Sequence, residues 1–509
     1  MPKVVVPCGV VARVINDMTP SHQQRQSGVL LHITSLPGPF KQGVLGEEAL
    51  HFMDAIHDAG YRIWQFLPLG PTHSHGSPYE SLSSSAGAPE LIDLRPMIDR
   101  GWLSETEVND VKSGDILAST ARAKASLTFW EKLSEQPELS EKISMFQEEN
   151  RAWLDDYALF TSLKIAHGGM AWWQWPKGLR DRHPEALKAA RNTLQSHMKQ
   201  VLFEQWMFQE QWNIIKSHAE AIGVKLFGDV PIYVAHDSSD VWANRAYFTV
   251  NSEGLCDEVA GVPPDYFSET GQRWGNPLYV WDALQASNFT WWIDRVSVQM
   301  KRMHMIRIDH FRGLESFWVI PGDRDDGIIG SWRKAPGAEL LQALRDHLGD
   351  LPLIAEDLGL ITPEVEHLRQ SFDLPGMKIL QFAFGGGSDN PYLPHQHTQD
   401  MVVYTGTHDN DTTLGWWQSA SQQERQHASA YLNMDSQHIS WSFIRAALAS
   451  TANLSIIPMQ DLLELDTSAR FNTPGTLEHN WCWRMPSLPN RSDACWSRSK
   501  EFNTLYGRV

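Results

Sequence analysis

The chain has 509 residues, of which 42% are hydrophobic and 20% charged, enough for a sizeable core and unlike any low-complexity or disordered composition. Its formal net charge of -18 argues against polyanionic partners, so nucleic acid and anionic membrane surfaces fall away and the expected substrate is neutral or cationic. Cys8, Cys256, Cys482 and Cys495 lack metal-ligand or disulfide spacing, which fits a reduced, cytoplasmic protein without a zinc site, and no apolar stretch is long enough to span a bilayer.

The first apolar residues, from Val4 to Ile15, include Pro7 and Arg13 and lead to no small-residue cleavage site. Residues 1–26 therefore read as an N-terminal tail and 27–509 as the catalytic body. Eight short apolar runs follow, at 28–35, 62–70, 225–234, 305–313, 351–359, 377–384, 401–409 and 454–463. Most are continuously hydrophobic rather than alternating, as parallel strands buried on both faces are. Helical patterns lie between several of them, at 47–59, 336–348, 363–372 and 421–432. The fold class is α/β, and strand-helix alternation repeated eight times predicts a (β/α)8 TIM barrel.

Two connections are too long for simple crossovers and predict insertions. Residues 93–223, rich in Glu, Lys, Leu and Ala, read as a helical insertion after the second strand. Residues 235–288, rich in Gly, Pro, Trp and Tyr, read as an active-site loop insertion after the third, and within it 260–277 is a segment able to close over a ligand. The 22 tryptophans are far above ordinary usage, and several, as in Trp172-Trp173, Trp291-Trp292 and Trp416-Trp417, lie outside strand patterns. Flat amphipathic rings suit stacking on sugar faces, so carbohydrate is the favoured ligand class.

Chemistry concentrates in the run Met-Ile-Arg-Ile-Asp-His-Phe-Arg-Gly at 305–313. In a strand Arg307 and Asp309 share one face and Ile306 and Ile308 the other, which turns an ion pair towards the interior. Two further runs end in acids, at Glu356-Asp357 and His408-Asp409. Three carboxylates at the C-terminal ends of parallel strands stand where barrel enzymes build their sites. That set suits glycosidic bond cleavage. Arg307 would keep Asp309 ionised as a nucleophile, and a more apolar strand end would raise Glu356 for general acid and base work. Asp409, with His408, would bind sugar hydroxyls and stabilise the distorted ring.

The strings Gly28-Val29-Leu30-Leu31-His32, Trp64 to Thr72, Gly228 to Val234, Pro264-Asp265-Tyr266, Thr405 to Asp411 and Asn480 to Arg484 closely resemble the amylomaltase, or disproportionating enzyme (4-α-glucanotransferase), family of the α-amylase superfamily. The resemblance spans nearly the whole chain. It implies Asp309 as nucleophile, Glu356 as acid/base and Asp409 as third carboxylate, with Arg307, His408, Asp229, Tyr79, Trp274, Tyr266 and Phe382 binding substrate. It further implies transfer of α-1,4-glucan segments among malto-oligosaccharides and starch- or glycogen-derived chains, with glucose or maltose as acceptor and neither metal nor organic cofactor. A retaining α-glucan hydrolase is the alternative reading. The sequence departs from the family pattern at Ile33, Lys41 to Gly46, Glu80 and Ala88.

Overall fold

The computed structural model describes residues 24–264, 268–434, 437–476 and 478–509. Its strands, in chain order, are β1 (Gln26–Leu30), β2 (Ile63–Gln65), β3 (Lys225–Pro231), β4 (Glu258–Val262), β5 (Gln272–Arg273), β6 (Met305–Asp309), β7 (Ser316–Pro321), β8 (Ser331–Lys334), β9 (Leu353–Ala355), β10 (Gly376–Ile379), β11 (Met401–Tyr404) and β12 (Leu454–Pro458). Eight of them form one parallel sheet in the order β10-β11-β12-β1-β2-β3-β6-β9, and these are the eight apolar runs of the sequence. Helices Glu47–Asp58, Gly337–Leu348, Pro363–Ser371 and Gln422–Leu432 fall on the helical patterns. The architecture is a (β/α)8 TIM barrel.

Closure at the β9/β10 seam is partly made by a side chain. Ala355 N–H donates to the Pro375 carbonyl at 2.8 Å, and one residue pair later the Met377 N–H donates to Asp357 Oδ1 at 2.6 Å. A Cβ on Gly376 would lie 2.3 Å from the Asp357 carboxylate, so only glycine lets that acid reach the seam.

Period-two alternation sorts the strand residues into two cores. Leu30, Ile63, Phe227, Met305, Ile354, Met377, Val402 and Leu454 fill the barrel interior. Val29, Trp64, Leu226, Ile306, Ile308, Leu353, Val403 and Ile457 pack into the outer core, which also buries the helices. At Gly28 a side chain would sit 2.6 Å from Ile63 Cβ and 2.8 Å from Ile456 Cδ1, so glycine makes room where β1 meets the interior.

Between β2 and β3 the chain passes through a series of helices ending in the 28-residue Gln195–Ile222, which stops at left-handed Gly223 and leads into β3. Two amides on that helix clamp the loop after β2. Gln205 exchanges two 2.8 Å hydrogen bonds with the backbone of Gly87, and Gln211 does the same with Asp93. The stretch 235–288, which reads as loop from its composition, holds β4 and β5 and two short helices, Ser239–Ala243 and Trp281–Ala286. β4 pairs antiparallel with β7 in a small sheet of order β5-β4-β7-β8. Its main partner arrives more than fifty residues later, so no local pattern marks it as a strand.

Candidate active site

On β6, Met305, Arg307 and Asp309 point inward while Ile306 and Ile308 enter the outer core. Arg307 stands in register with Asp229 of β3, and its buried guanidinium donates at 2.6 Å to Asp229 Oδ2 and lies 2.8 Å from Asp309 Oδ1. Burying a guanidinium is costly alone, and two carboxylates offset it here. Burial works to lower the Arg307 pKa, but Asp229 and Asp309 outweigh it and hold the group charged, well above its usual range.

Glu356 follows β9 by one residue. One carboxylate oxygen accepts the His310 N–H at 2.7 Å and the other the Leu358 N–H at 3.1 Å. His310, immediately after Asp309, is left-handed at φ 52°, a conformation that costs a non-glycine residue about 1–3 kcal/mol. The turn it makes aims a backbone donor at Glu356 and so fixes the second acid relative to the first. Burial pushes the Glu356 carboxyl up to about 8, against the pull of Arg307 and with the help of Asp309. Burial pushes Asp309 up to about 6, opposed by Arg307 and assisted by Asp229 and Asp409. At neutral pH the pair therefore holds one ionised carboxylate and one protonated carboxyl, the division of labour that acid/base chemistry needs. The neighbouring Asp357, also raised by burial to about 6, is occupied at the barrel seam.

A polar chain runs across the floor. Tyr79 O–H donates to Asp229 Oδ2 at 2.7 Å, and His408 Nε2 lies 2.9 Å from the same phenol oxygen. Since the Tyr79 proton is committed to Asp229, His408 must be the donor, and burial keeps its ring neutral by lowering its pKa. The two rings stack at 5.3 Å, and His408 Nε2 lies 3.3 Å from Asp409 Oδ2. Asn472 Nδ2 donates to the other Asp409 oxygen at 2.6 Å. Asp409 is thus oriented by Asn472, with the neutral His408 ring beside it.

Above this floor opens a cleft of about 890 Å³, at the large end of ordinary ligand sites, lined by Tyr79, Arg307, Asp309, Glu356 and Asp409 with Trp274 and Phe382. Asp229 and His408 lie one layer deeper, behind Tyr79 and Arg307. Pro263, Ser268 and residues 270–274 also line the cleft, so the described part of the proline-rich segment borders it. Tyr266 lies outside the described residues, as does Phe267.

Residues 31–489 match the model of a family described as 4-alpha-glucanotransferase. The chain belongs to that family. The 4-alpha-glucanotransferase of Thermus thermophilus is 47% identical over 475 residues, covering 91% of this chain and 95% of that one. A chloroplastic/amyloplastic 4-alpha-glucanotransferase of Arabidopsis thaliana is 41% identical over 500 residues, covering 96% and 86%. An amylomaltase from Streptococcus agalactiae, solved in complex with acarbose, superposes with a TM-score of 0.91 at 35% identity, covering 95% of this chain and all of that one. The chain is accordingly an enzyme acting on α-1,4-glucans as a 4-α-glucanotransferase, and the hydrolase alternative is set aside. Among the described residues no helix is long and apolar enough to cross a membrane.

In this member of the family the site also contains residues to which the sequence alone assigned no role. Asn472, Arg470 and Trp481 belong to the segment after β12, whose composition is that of a surface loop. Arg470 donates to the Asp409 carbonyl at 2.7 Å, and Trp481 packs 5.9 Å from Tyr79 and 6.1 Å from His408. The signal available was the run Arg470-Phe471-Asn472-Thr473-Pro474-Gly475, polar groups stiffened by proline just after the last barrel strand. Glu80 reaches the cleft edge and pairs with His75 at 2.9 Å.

Proposed function

We propose that this enzyme transfers α-1,4-glucan segments between malto-oligosaccharides, with glucose or maltose among its acceptors, by a retaining double displacement in the cytoplasm. The observation that carries the reading is the Arg307-centred pair. One cation pairs with both Asp229 and Asp309, while the turn at His310, just after Asp309, holds Glu356, which is protonated at neutral pH. Asp309 attacks the anomeric carbon as Glu356 gives its proton to the departing 4-oxygen, and the glycosyl group becomes an ester of Asp309. Glu356, now ionised, takes the proton of an incoming 4-hydroxyl as that oxygen displaces Asp309. Two inversions leave the α configuration.

Asp409, oriented by Asn472, accepts hydroxyl hydrogens of the distorted ring. Tyr79 and Phe382 present aromatic surface to the sugar, while Asp229 and His408 act through Arg307 and Tyr79. Trp274, stacked edge-on against His310 at 4.8 Å, belongs to a covering segment that excludes water and holds the acceptor. Positioned hydroxyls can reach effective molarities of roughly 10⁵ M or more, which is how a sugar outcompetes abundant water. Residues 93–223 act in this reading as an insertion that braces the loop carrying Tyr79. The test is the product pattern from maltotriose. Glucose and longer chains appear with little net gain of reducing ends, whereas reducing ends rising in step with donor loss would refute the transfer reading.

A further inference from the structure

We propose that Trp332 is a stacking platform for an acceptor glucosyl ring several units from the scissile bond, and that it sets acceptor chain-length preference; the inference rests on the transfer reading above. Trp332 lies on β8, an edge strand whose four residues are all exposed. The residue is 39% exposed, lines the cleft, and has no protein acceptor for its indole N–H among the described residues. An exposed indole on a sheet edge is a liability unless something covers it. This one is nevertheless held rigidly.

Arg312 lies over the ring at 3.8 Å, and the cross-strand partner Trp318 packs at 5.2 Å, its own N–H fixed on the Gly327 carbonyl at 3.0 Å. On the flanks of Trp332, Arg333 pairs with Glu258 of β4, and Lys334 with Glu315. The guanidinium over the ring is itself anchored, donating to the Leu360 carbonyl and, at 3.2 Å, to Ser316 Oγ. Arg312 is three residues beyond Asp309, and Leu360 four beyond Glu356. The platform is therefore tied to the ends of both strands that carry the reacting carboxyls, and its position is fixed before any sugar arrives.

Glu356 must stand beside the departing oxygen, so the leaving group and then the acceptor lie next to it. Leu358, Gly359 and Leu360 follow Glu356 along the cleft wall, and Arg312 joins Trp332 to Leu360. A face fixed by cation-π contact and an N–H free for a hydroxyl is the arrangement that reads a pyranose, apolar on its face and polar at its edge.

The test is competition. Wild type and Trp332→Ala receive one unlabelled donor with tracer glucose and tracer maltotetraose, both isotopically labelled in the reducing-end unit, and initial label in products longer than each tracer gives the ratio of kcat/KM for the two acceptors, since donor use of maltotetraose leaves its label on shorter chains. Replacement by alanine should lower the maltotetraose-to-glucose ratio about tenfold, and Trp332→Phe, which keeps a ring over Arg312, should recover most of it. A ratio unchanged in Trp332→Ala, or a loss equal for both acceptors, overturns the proposal, because a merely structural role moves both together. Failure of the transfer reading would appear separately, as wild type releasing reducing ends in step with donor loss.

Discussion

The raised Glu356 carboxyl makes the pH dependence of the first chemical step a direct test of its role. With the pair titrating near 6 and 8, wild-type kcat/KM on a malto-oligosaccharide should peak near pH 7. The acidic limb is ionisation of the nucleophile and the alkaline limb is loss of the acid's proton. At pH 5 about one-tenth of Asp309 is ionised, and at pH 9 about one-tenth of Glu356 is protonated, so activity falls about tenfold at either end. Glu356→Gln separates the limbs when the donor is an α-maltotriosyl fluoride, because fluoride departs without a proton. The variant should release about one fluoride per active site in a burst and then stall, since no base remains to activate the acceptor. The burst rate should keep the limb near 6 and stay level from pH 7 to 9. A descending limb that persists near 8 in the variant would assign that titration to another group, and absence of a burst would remove Asp309 as nucleophile.

The same shift has a stability consequence. The folded pKa of Glu356 lies above its ordinary 4.5, so its contribution is fully present below about 4.5 and is lost as pH rises through about 8. Glu356→Gln should gain about 3 kcal/mol on wild type between pH 5.5 and 8.5, read by denaturant unfolding at the two pH values. Asp309→Asn should lower turnover by about 10⁴ or more with unchanged circular dichroism, and appreciable residual activity would count against it. Asn472→Ala removes the 2.6 Å donor that orients Asp409 and should lower kcat roughly 10- to 100-fold with little change in KM; a pure KM effect would contradict the orienting role. Arg307→Leu leaves Asp229 and Asp309 buried without their cation and should cost about 3–5 kcal/mol, seen as a lower melting temperature as well as lost activity.

What the sequence discloses about this molecule divides along the range of the interactions. The eight barrel strands are legible because each is buried on both faces, which writes an unbroken apolar run into a few consecutive residues. Asp309 and Arg307 are legible for the same local reason, since a period-two strand turns both inward whatever it packs against. Glu80 is legible only as a departure from a pattern. Its pairing with His75 belongs to the folded loop. β4 is invisible because its partner β7 lies across a bend of the chain, while the proline-stiffened run around Asn472 stands out but does not name its partner, Asp409, sixty-three residues earlier.

Asp357 shows the limit most sharply. Beside Glu356 it has the same charge, a similarly apolar strand before it, and a carboxyl also raised by burial. The direction of one side chain separates a reacting acid from a barrel seam. That direction is set by Gly376 on the neighbouring strand, where a Cβ would displace the carboxylate, and by the Met377 N–H that receives it. A raised carboxyl at a barrel strand end is therefore a candidate for chemistry only once its hydrogen-bond partners are known. Asp357 is engaged by the fold, whereas Glu356 faces the cleft on two backbone donors.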